Sequence, residues 1–209
     1  MVEIIIIVFF IIALVFSVVI HEVAHGAVAN SLGDPTAKFS GRLTLNPLKH
    51  LDPFGSFIIP FLMFLSTGIA FGYAKPVPIN PLNLRDKRFG MVKVAVAGVA
   101  ANFALALFFG LIIRFWPEIA NPMATMFRSL LELVVKLNLW LMIFNLVPIP
   151  PLDGSHILFA LLPASQAEFK LFLQRYGLIF FLVFVFYFSS IISPIVYFLG
   201  RLIVGAPLD

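Results

Sequence analysis

Three ionisable side chains stand together at the end of an apolar run. In HEVAH, residues 21–25, His21 and His25 are four positions apart and Glu22 follows the first of them. On a helix an i, i+4 pair lies on one face about a turn apart, so the two imidazoles can share one Zn²⁺ at bond lengths of about 2.0–2.1 Å. Glu22 is next to that face, where it can take a proton from an attacking water, and H-E-x-x-H is the pattern of helical zinc sites that cleave peptides. The plain alternative is a coincidence of surface histidines on a soluble helix. Residues 4–20, IIIIVFFIIALVFSVVI, carry no charge and argue against it, because ionisable groups at membrane depth are costly and normally functional.

Two histidines leave a catalytic zinc short of a ligand, since such sites usually have three protein donors and water. The chain has no cysteine, so the third donor must be His, Asp or Glu. The acidic residues in or beside apolar segments are Glu3, Glu132 and Asp153. Asp153 lies in IFNLVPIPPLDGSHILFALLP, where three prolines and Gly154 break the helix and let a carboxylate approach a metal. The same residue before a glycine also suits an ordinary turn.

The elements that must position these groups are membrane helices. Of 209 residues 61% are hydrophobic, 11% are charged and 25 are phenylalanine, far from a soluble composition, in which about a quarter of residues are charged. The net charge of +4 comes from scattered Lys and Arg, so it reports topology and gives no footprint for nucleic acid. Apolar segments fall at about 4–31, 54–72, 90–113, 127–149 and 177–204, several of them long enough for the roughly 20 residues of a crossing. The first lacks a basic leader and a cleavage site and is expected to be retained. Lys38–Asn46 alternates around Gly41 and predicts a small β-hairpin, whereas the prolines of 73–84 predict an extended path.

Lys38, Arg42 and Lys49 in one loop, and Lys75, Arg85, Lys87, Arg88 and Lys93 in the next, place both on the cytosolic side. Two arrangements satisfy these charges. Either 54–72, with Pro60 and Gly68, is re-entrant, or it spans and 73–84 returns into the membrane as an extended piece. In both, His21, His25 and Asp153 come near the cytosolic ends of inward-running segments and share a depth. The expectation is an all-α polytopic membrane protein forming a single domain over 1–209. It consists of about four to six transmembrane helices, a short membrane-associated β-hairpin and the re-entrant or spanning 54–72.

HEVAHG at 21–26, GVAAN at 98–102 and NLVPIPPLDG at 145–154, supported by LNPLKHLDPFG and FGYAKPVPIN, make the chain similar to the site-2 protease family of intramembrane zinc metalloproteases. The resemblance covers most of the chain in family order; Val99 stands where the family often has proline. It implies a minimal form without PDZ-like or nucleotide-binding domain. It further implies one Zn²⁺ held by His21, His25 and Asp153, Glu22 as catalytic base, and Asn102 and Asn145 near the active site. Each asparagine amide needs partners in an apolar helix, and either can donate to a developing oxyanion, hold substrate backbone or pack between helices. His50, beside Lys49 and Asp52, is expected to be solvated, and His156 to support the site or merely pack.

The function expected is hydrolysis of a peptide bond within or near a transmembrane segment of a membrane-protein substrate, as in regulated intramembrane proteolysis. The partners are that substrate and the bilayer, with no nucleic acid. The location is the plasma membrane, with the site nearer the cytosol. The extended pieces at 36–46 and 73–80 can offer an edge to an unwound substrate. The alternative is a divalent-metal transporter using the His/Asp cluster as a transit site; only proteolysis requires Glu22 as a base.

Overall fold

The computed structural model describes residues 2–52, 75–116 and 121–207. Its long elements are α1 (Val2–Ser31), α3 (Gly90–Arg114) and α4 (Pro122–Leu146), with a short α2 (Thr36–Phe39) after the first of them. Then come α5 (Gly154–Leu161), α6 (Ala167–Val183) and α7 (Ile192–Val204), the last two joined through a π turn at Phe184–Phe188 and a 3₁₀ turn at Ser189–Ile191. Among the described residues four stretches are long and apolar enough to cross a membrane: Glu3–Ser31, Gly90–Arg114, Pro122–Leu146 and Ala167–Val204. The chain is thus a helical, multi-pass integral membrane protein, as its composition requires. The segment 54–72, expected to be re-entrant or spanning, lies outside the described residues.

α1 is about 45 Å long at 1.5 Å per residue, longer than the roughly 30 Å hydrocarbon core. Its N-terminal half is lipid-like on all sides, with Ile4, Ile7 and Ile11 each more than half exposed. From Ser17 onward one face is buried at every fourth residue: Ser17, His21, His25 and Ala29. α3 answers with a matching row, Gly98, Asn102, Ala106 and Gly110, all buried. Small residues at that spacing let helix backbones approach closely, which matters in lipid, where apolar contacts gain little transfer energy and helices are held by packing. At Gly110 a β-carbon would stand 2.4 Å from Ile203 Cγ2 of α7. Ile113 of α3, Val135, Leu139 and Met142 of α4, and Ile192 and Val196 of α7 complete the buried core. Arg114 donates to the Leu202 and Ile203 carbonyls at 3.0 and 3.4 Å, covering groups at the end of α7 that no helical N–H reaches.

Three elements begin at Asn-Pro pairs. Asn46, Asn80 and Asn121 each accept from the backbone N–H two residues on, at 3.0, 3.1 and 2.9 Å, and proline takes the first helical position, where its missing N–H has no cost.

The β-hairpin expected at Lys38–Asn46 does not form; among the described residues there is no strand. Local partners take the backbone groups that a ladder would need. The Arg42 N–H reaches Ala37 O at 3.0 Å and that of Gly41, at φ +65°, reaches Lys38 O at 3.0 Å. Arg42 and His50 side chains donate to the Lys49 and Thr44 carbonyls, the latter at 2.9 Å. His50, expected to be solvated, is accordingly 1% exposed. Residues 75–80 have no regular secondary structure, as their prolines predict, and are fastened to neighbours by single bonds: Lys75 N to His50 O at 2.9 Å and Asn80 N to Asp34 Oδ2 at 2.7 Å.

Candidate metal centre

His21 and His25 project from the last third of α1, and Asp153 enters from the proline-broken link between α4 and α5. Asp153 Oδ2 lies 3.2 Å from Nε2 of each histidine, and the two Nε2 atoms are 2.9 Å apart. These are the residues that spacing and helix breaking singled out, and the fold brings all three together. Glu132 belongs elsewhere, buried on α4 with Arg128 Nε at 3.1 Å.

The hydrogen bonds behind the rings decide what the rings present. His25 Nδ1 is 2.7 Å from the Val94 carbonyl, which can only accept, so this nitrogen carries the proton. His21 Nδ1 is 2.6 Å from Asn102 Oδ1 and donates in the same way. In its neutral form each ring therefore turns a bare Nε2 lone pair inward, toward the other and toward Asp153. Among the described residues Asp153 Oδ2 has no hydrogen-bond donor, although it is buried. Three potential donor atoms converging, with Asp153 Oδ2 buried and unpartnered, suit a bound cation. Tetrahedral zinc with bonds of about 2.0–2.1 Å separates its ligand atoms by roughly 3.3 Å, so gaps of 2.9–3.2 Å fit it with a small outward shift.

Glu22 lines the same cavity, about 220 Å³ in volume, with Asn145, His156 and the extended residues Pro76, Val77 and Ile79. Its Oε2 accepts from Val77 N at 2.7 Å. His156 borders the cavity from α5; burial pushes its imidazole below the ordinary value, against the pull of Asp153. A larger groove of about 500 Å³ between α1, α4 and α7 is apolar apart from Lys136, Ser193 and Tyr197 and holds no ligating set.

The two asparagines occupy different positions. Asn145 faces the cavity and donates to Leu141 O at 2.9 Å. Asn102 is fully buried behind His21, and its Nδ2 reaches Asn138 Oδ1 at 2.9 Å and the Ser17 carbonyl at 3.4 Å. With both amide hydrogens engaged and its oxygen on His21, Asn102 holds a ring rather than facing the cavity.

Sequence reasoning overlooked four residues. A β-carbon on Gly98 would stand 2.4 Å from Cε1 and Nε2 of His25 and 2.6 Å from Cε1 of His21; only glycine leaves room for both rings. Its signal was the i, i+4 step to Asn102. Asn138 and Ser17 lie behind Asn102, signalled by the seven-residue step from Asn138 to Asn145 and the four-residue step from Ser17 to His21. Asp34, just past α1, accepts from Asn80 N at 2.7 Å, Asn83 Nδ2 at 2.9 Å, Thr36 N at 3.2 Å and the Thr36 hydroxyl, and so anchors the extended segment that passes Glu22. Nothing in a lone aspartate before proline announced that.

A membrane-embedded helical protein with a largely buried His₂Asp cluster, a neighbouring glutamate and a cavity with room for water has the features of a membrane metallohydrolase. The sequence profile of Peptidase family M50 matches residues 9–120 and 117–186, a span that includes His21, Glu22, His25 and Asp153, and the chain belongs to that family of metalloproteases. A Bacillus subtilis protein named "Putative zinc metalloprotease YwhC" is 40% identical over 179 residues, covering 84% of this chain and 78% of its own length. The Mycolicibacterium smegmatis protein named "Putative zinc metalloprotease Rip2" is 36% identical over 140 residues, covering 66% of this chain and 51% of itself. Its Mycobacterium tuberculosis namesake is 29% identical over 170 residues, 80% of this chain and 62% of that one. No solved structure matches the chain.

Proposed function

We propose that this chain is an intramembrane zinc metalloprotease of the site-2 type. It holds one Zn²⁺ on His21, His25 and Asp153 and hydrolyses a peptide bond within or near a transmembrane segment of a membrane-protein substrate. The observation that carries the reading is the convergence of His21 Nε2, His25 Nε2 and Asp153 Oδ2, with separations of 2.9–3.2 Å, in a cavity that Glu22 also lines.

When bound, zinc supplies Lewis acidity to the scissile carbonyl and lowers the pKa of the attacking water. Glu22 accepts that water's proton and returns it to the leaving amine, which a carboxylate does best when it borders the reacting atoms. The hydrogen bond from Val77 N fixes one Glu22 oxygen. Asn145, in the cavity wall, is placed to donate to the developing oxyanion, whereas Asn102 orients His21. A helical substrate must unwind before its carbonyls are accessible, and residues 75–80, running past Glu22, are where its extended backbone would lie.

Counted back from Ser31, His21 is roughly 15 Å inside the end of α1, shallow enough for water to reach from that side. The basic residues of 38–49 and 85–93 support a cytosolic position for that side, and the location we propose is the plasma membrane. The transporter reading is set aside, since family and relatives are peptidases. The test is metal analysis of the purified protein together with cleavage of a model transmembrane substrate, with and without chelator, in wild type and Glu22→Gln. The proposal expects zinc in both proteins and chelator-sensitive cleavage only in wild type. Cleavage that survives Glu22→Gln or complete zinc removal would overturn it.

A further inference from the structure

We propose that Asn138 is a positioning residue: held by Ser17 and the Val134 carbonyl, it fixes through Asn102 the ring tautomer that gives His21 a metal-binding Nε2. This rests on reading the His21–His25–Asp153 cluster as a metal site.

Every orientation in the chain of hydrogen bonds is forced. Asn138 Nδ2 lies 2.9 Å from the Val134 carbonyl and 3.0 Å from Ser17 Oγ. A carbonyl only accepts, so the amide nitrogen must face α4's own backbone and both its hydrogens are placed. Asn138 Oδ1 then has one direction left, toward Asn102, and only an amide N–H can satisfy it, at 2.9 Å. That turns Asn102 Oδ1 onto His21, which must donate from Nδ1 at 2.6 Å. A proton on Nδ1 leaves Nε2 bare in the neutral ring. The four side chains come from three helices, and all are buried: Ser17 at 3% exposed, His21 at 7%, Asn102 and Asn138 at 0%. Water cannot substitute for a missing member without a cavity being opened.

Replace Asn138 with leucine and the Asn102 amide keeps only the 3.4 Å bond to the Ser17 carbonyl. That long bond is then the main restraint against a flip, so the orientation presenting N–H to His21 becomes populated, which drives the ring proton to Nε2 and blocks the donor atom. Groups behind a metal-binding histidine typically matter 10–100-fold in metal affinity, and that is the expected loss for Asn138→Leu. Asn138→Asp retains an acceptor toward Asn102 and should lose less. A purely packing role predicts the reverse order, because a buried apolar isostere is tolerated better than a buried carboxylate.

The experiment uses the full chain in detergent micelles with ¹⁵N-labelled histidine. Imidazole ¹⁵N shifts of the metal-free protein report the His21 tautomer, and chelator competition gives zinc affinity. Wild type should show His21 protonated at Nδ1 and a shift of its Nε2 on adding zinc. Asn138→Leu should raise the Kd 10–100-fold and lose the Nδ1–H form, while the His25 tautomer, set by a backbone carbonyl, stays unchanged. If wild-type His21 is protonated at Nε2, or Asn138→Leu binds zinc like wild type, the positioning role is overturned and the metal site stands. If zinc leaves the His21 and His25 signals of wild type unmoved, the metal reading itself fails. If Asn138→Leu does not fold, Asn138→Asp decides: it should keep the Nδ1–H form of His21 with a smaller loss of zinc affinity, and loss of that form would overturn the role.

Discussion

Gly98→Ala sets two well-measured effects against each other. In the interior of α3 an alanine should stabilise the helix by about 1 kcal/mol relative to glycine. At this position its methyl group would stand 2.4 Å from His25 Cε1 and Nε2 and 2.6 Å from His21 Cε1, where carbon atoms prefer roughly 3.5–4.0 Å. Relief requires a displacement of about 1 Å, and neither ring can yield alone, because His25 is tied to Val94 O and His21 to Asn102. Overpacking of this kind costs about 1–3 kcal/mol, so the metal-free protein should change little or lose up to about 2 kcal/mol. Zinc affinity should fall much further, at least about tenfold, since coordination tolerates only about 0.2 Å in ligand distance. Chelator competition measures the affinity, and thermal unfolding with and without zinc separates the two effects. A Gly98→Ala protein that binds zinc like wild type and melts higher would show that helix propensity prevails and that the two rings are not confined by α3.

Asp153→Asn keeps the size of the side chain but offers a neutral, poorer donor, and should lower zinc occupancy and abolish cleavage; occupancy by elemental analysis checks it. Gly154→Ala should do similar damage with every ligand in place, because its β-carbon would sit 2.2 Å from the Leu146 carbonyl oxygen and push the Asp153 turn off the end of α4. Burial raises the Asp34 carboxyl, but hydrogen bonds from Thr36, Asn83 and Asn80 outweigh it and hold its pKa below the ordinary value. The stability it adds is therefore complete above the unfolded value of about 3.9 and is lost as pH falls through the lower folded one. Asp34→Asn should be less stable than wild type at pH 7, with the gap closing at acid pH in denaturant titrations. Single cysteines introduced at residues 48–52 and 85–93 should be labelled from the cytosolic side, those near 121–123 from the other.

The site was legible where chemistry is written in consecutive residues or at one helical step. His21, Glu22 and His25 needed only the period of a helix, whereas Asp153 was one of three acidic candidates, favoured by the prolines around it and by the family resemblance. The long helices were legible because lipid accepts only apolar runs, and α1 indeed ends at Ser31. What could not be read was whatever depends on which faces meet. Gly98 is informative only once α3 is known to cross α1 at the two histidines, and Asn138 only once α4 lies behind Asn102. The hairpin misreading has the same origin. Alternation at 38–46 is a mark of a half-buried strand but not a sufficient one, because Ala37, Thr44 and Lys49 carbonyls found donors nearby and left no ladder to form.

α1 answers to two different solvents along its length. Among its described residues none before Ser17 is buried, so most of the first half meets lipid, with Phe10 and Leu14 on the apolar groove, and its main constraint is to be hydrophobic: Ile, Val, Leu and Phe are near synonyms there. From Ser17 onward protein surrounds one face, and each fourth position admits a single residue type for a separate reason: a hydroxyl, an imidazole, a second imidazole, a methyl. A library randomised over hydrophobic residues at 4–16 should therefore yield mostly working proteins, and the same library shifted to 17–29 almost none. The helix is one object in geometry and two in what it can tolerate, with the boundary set by where α3 and α4 begin to touch it.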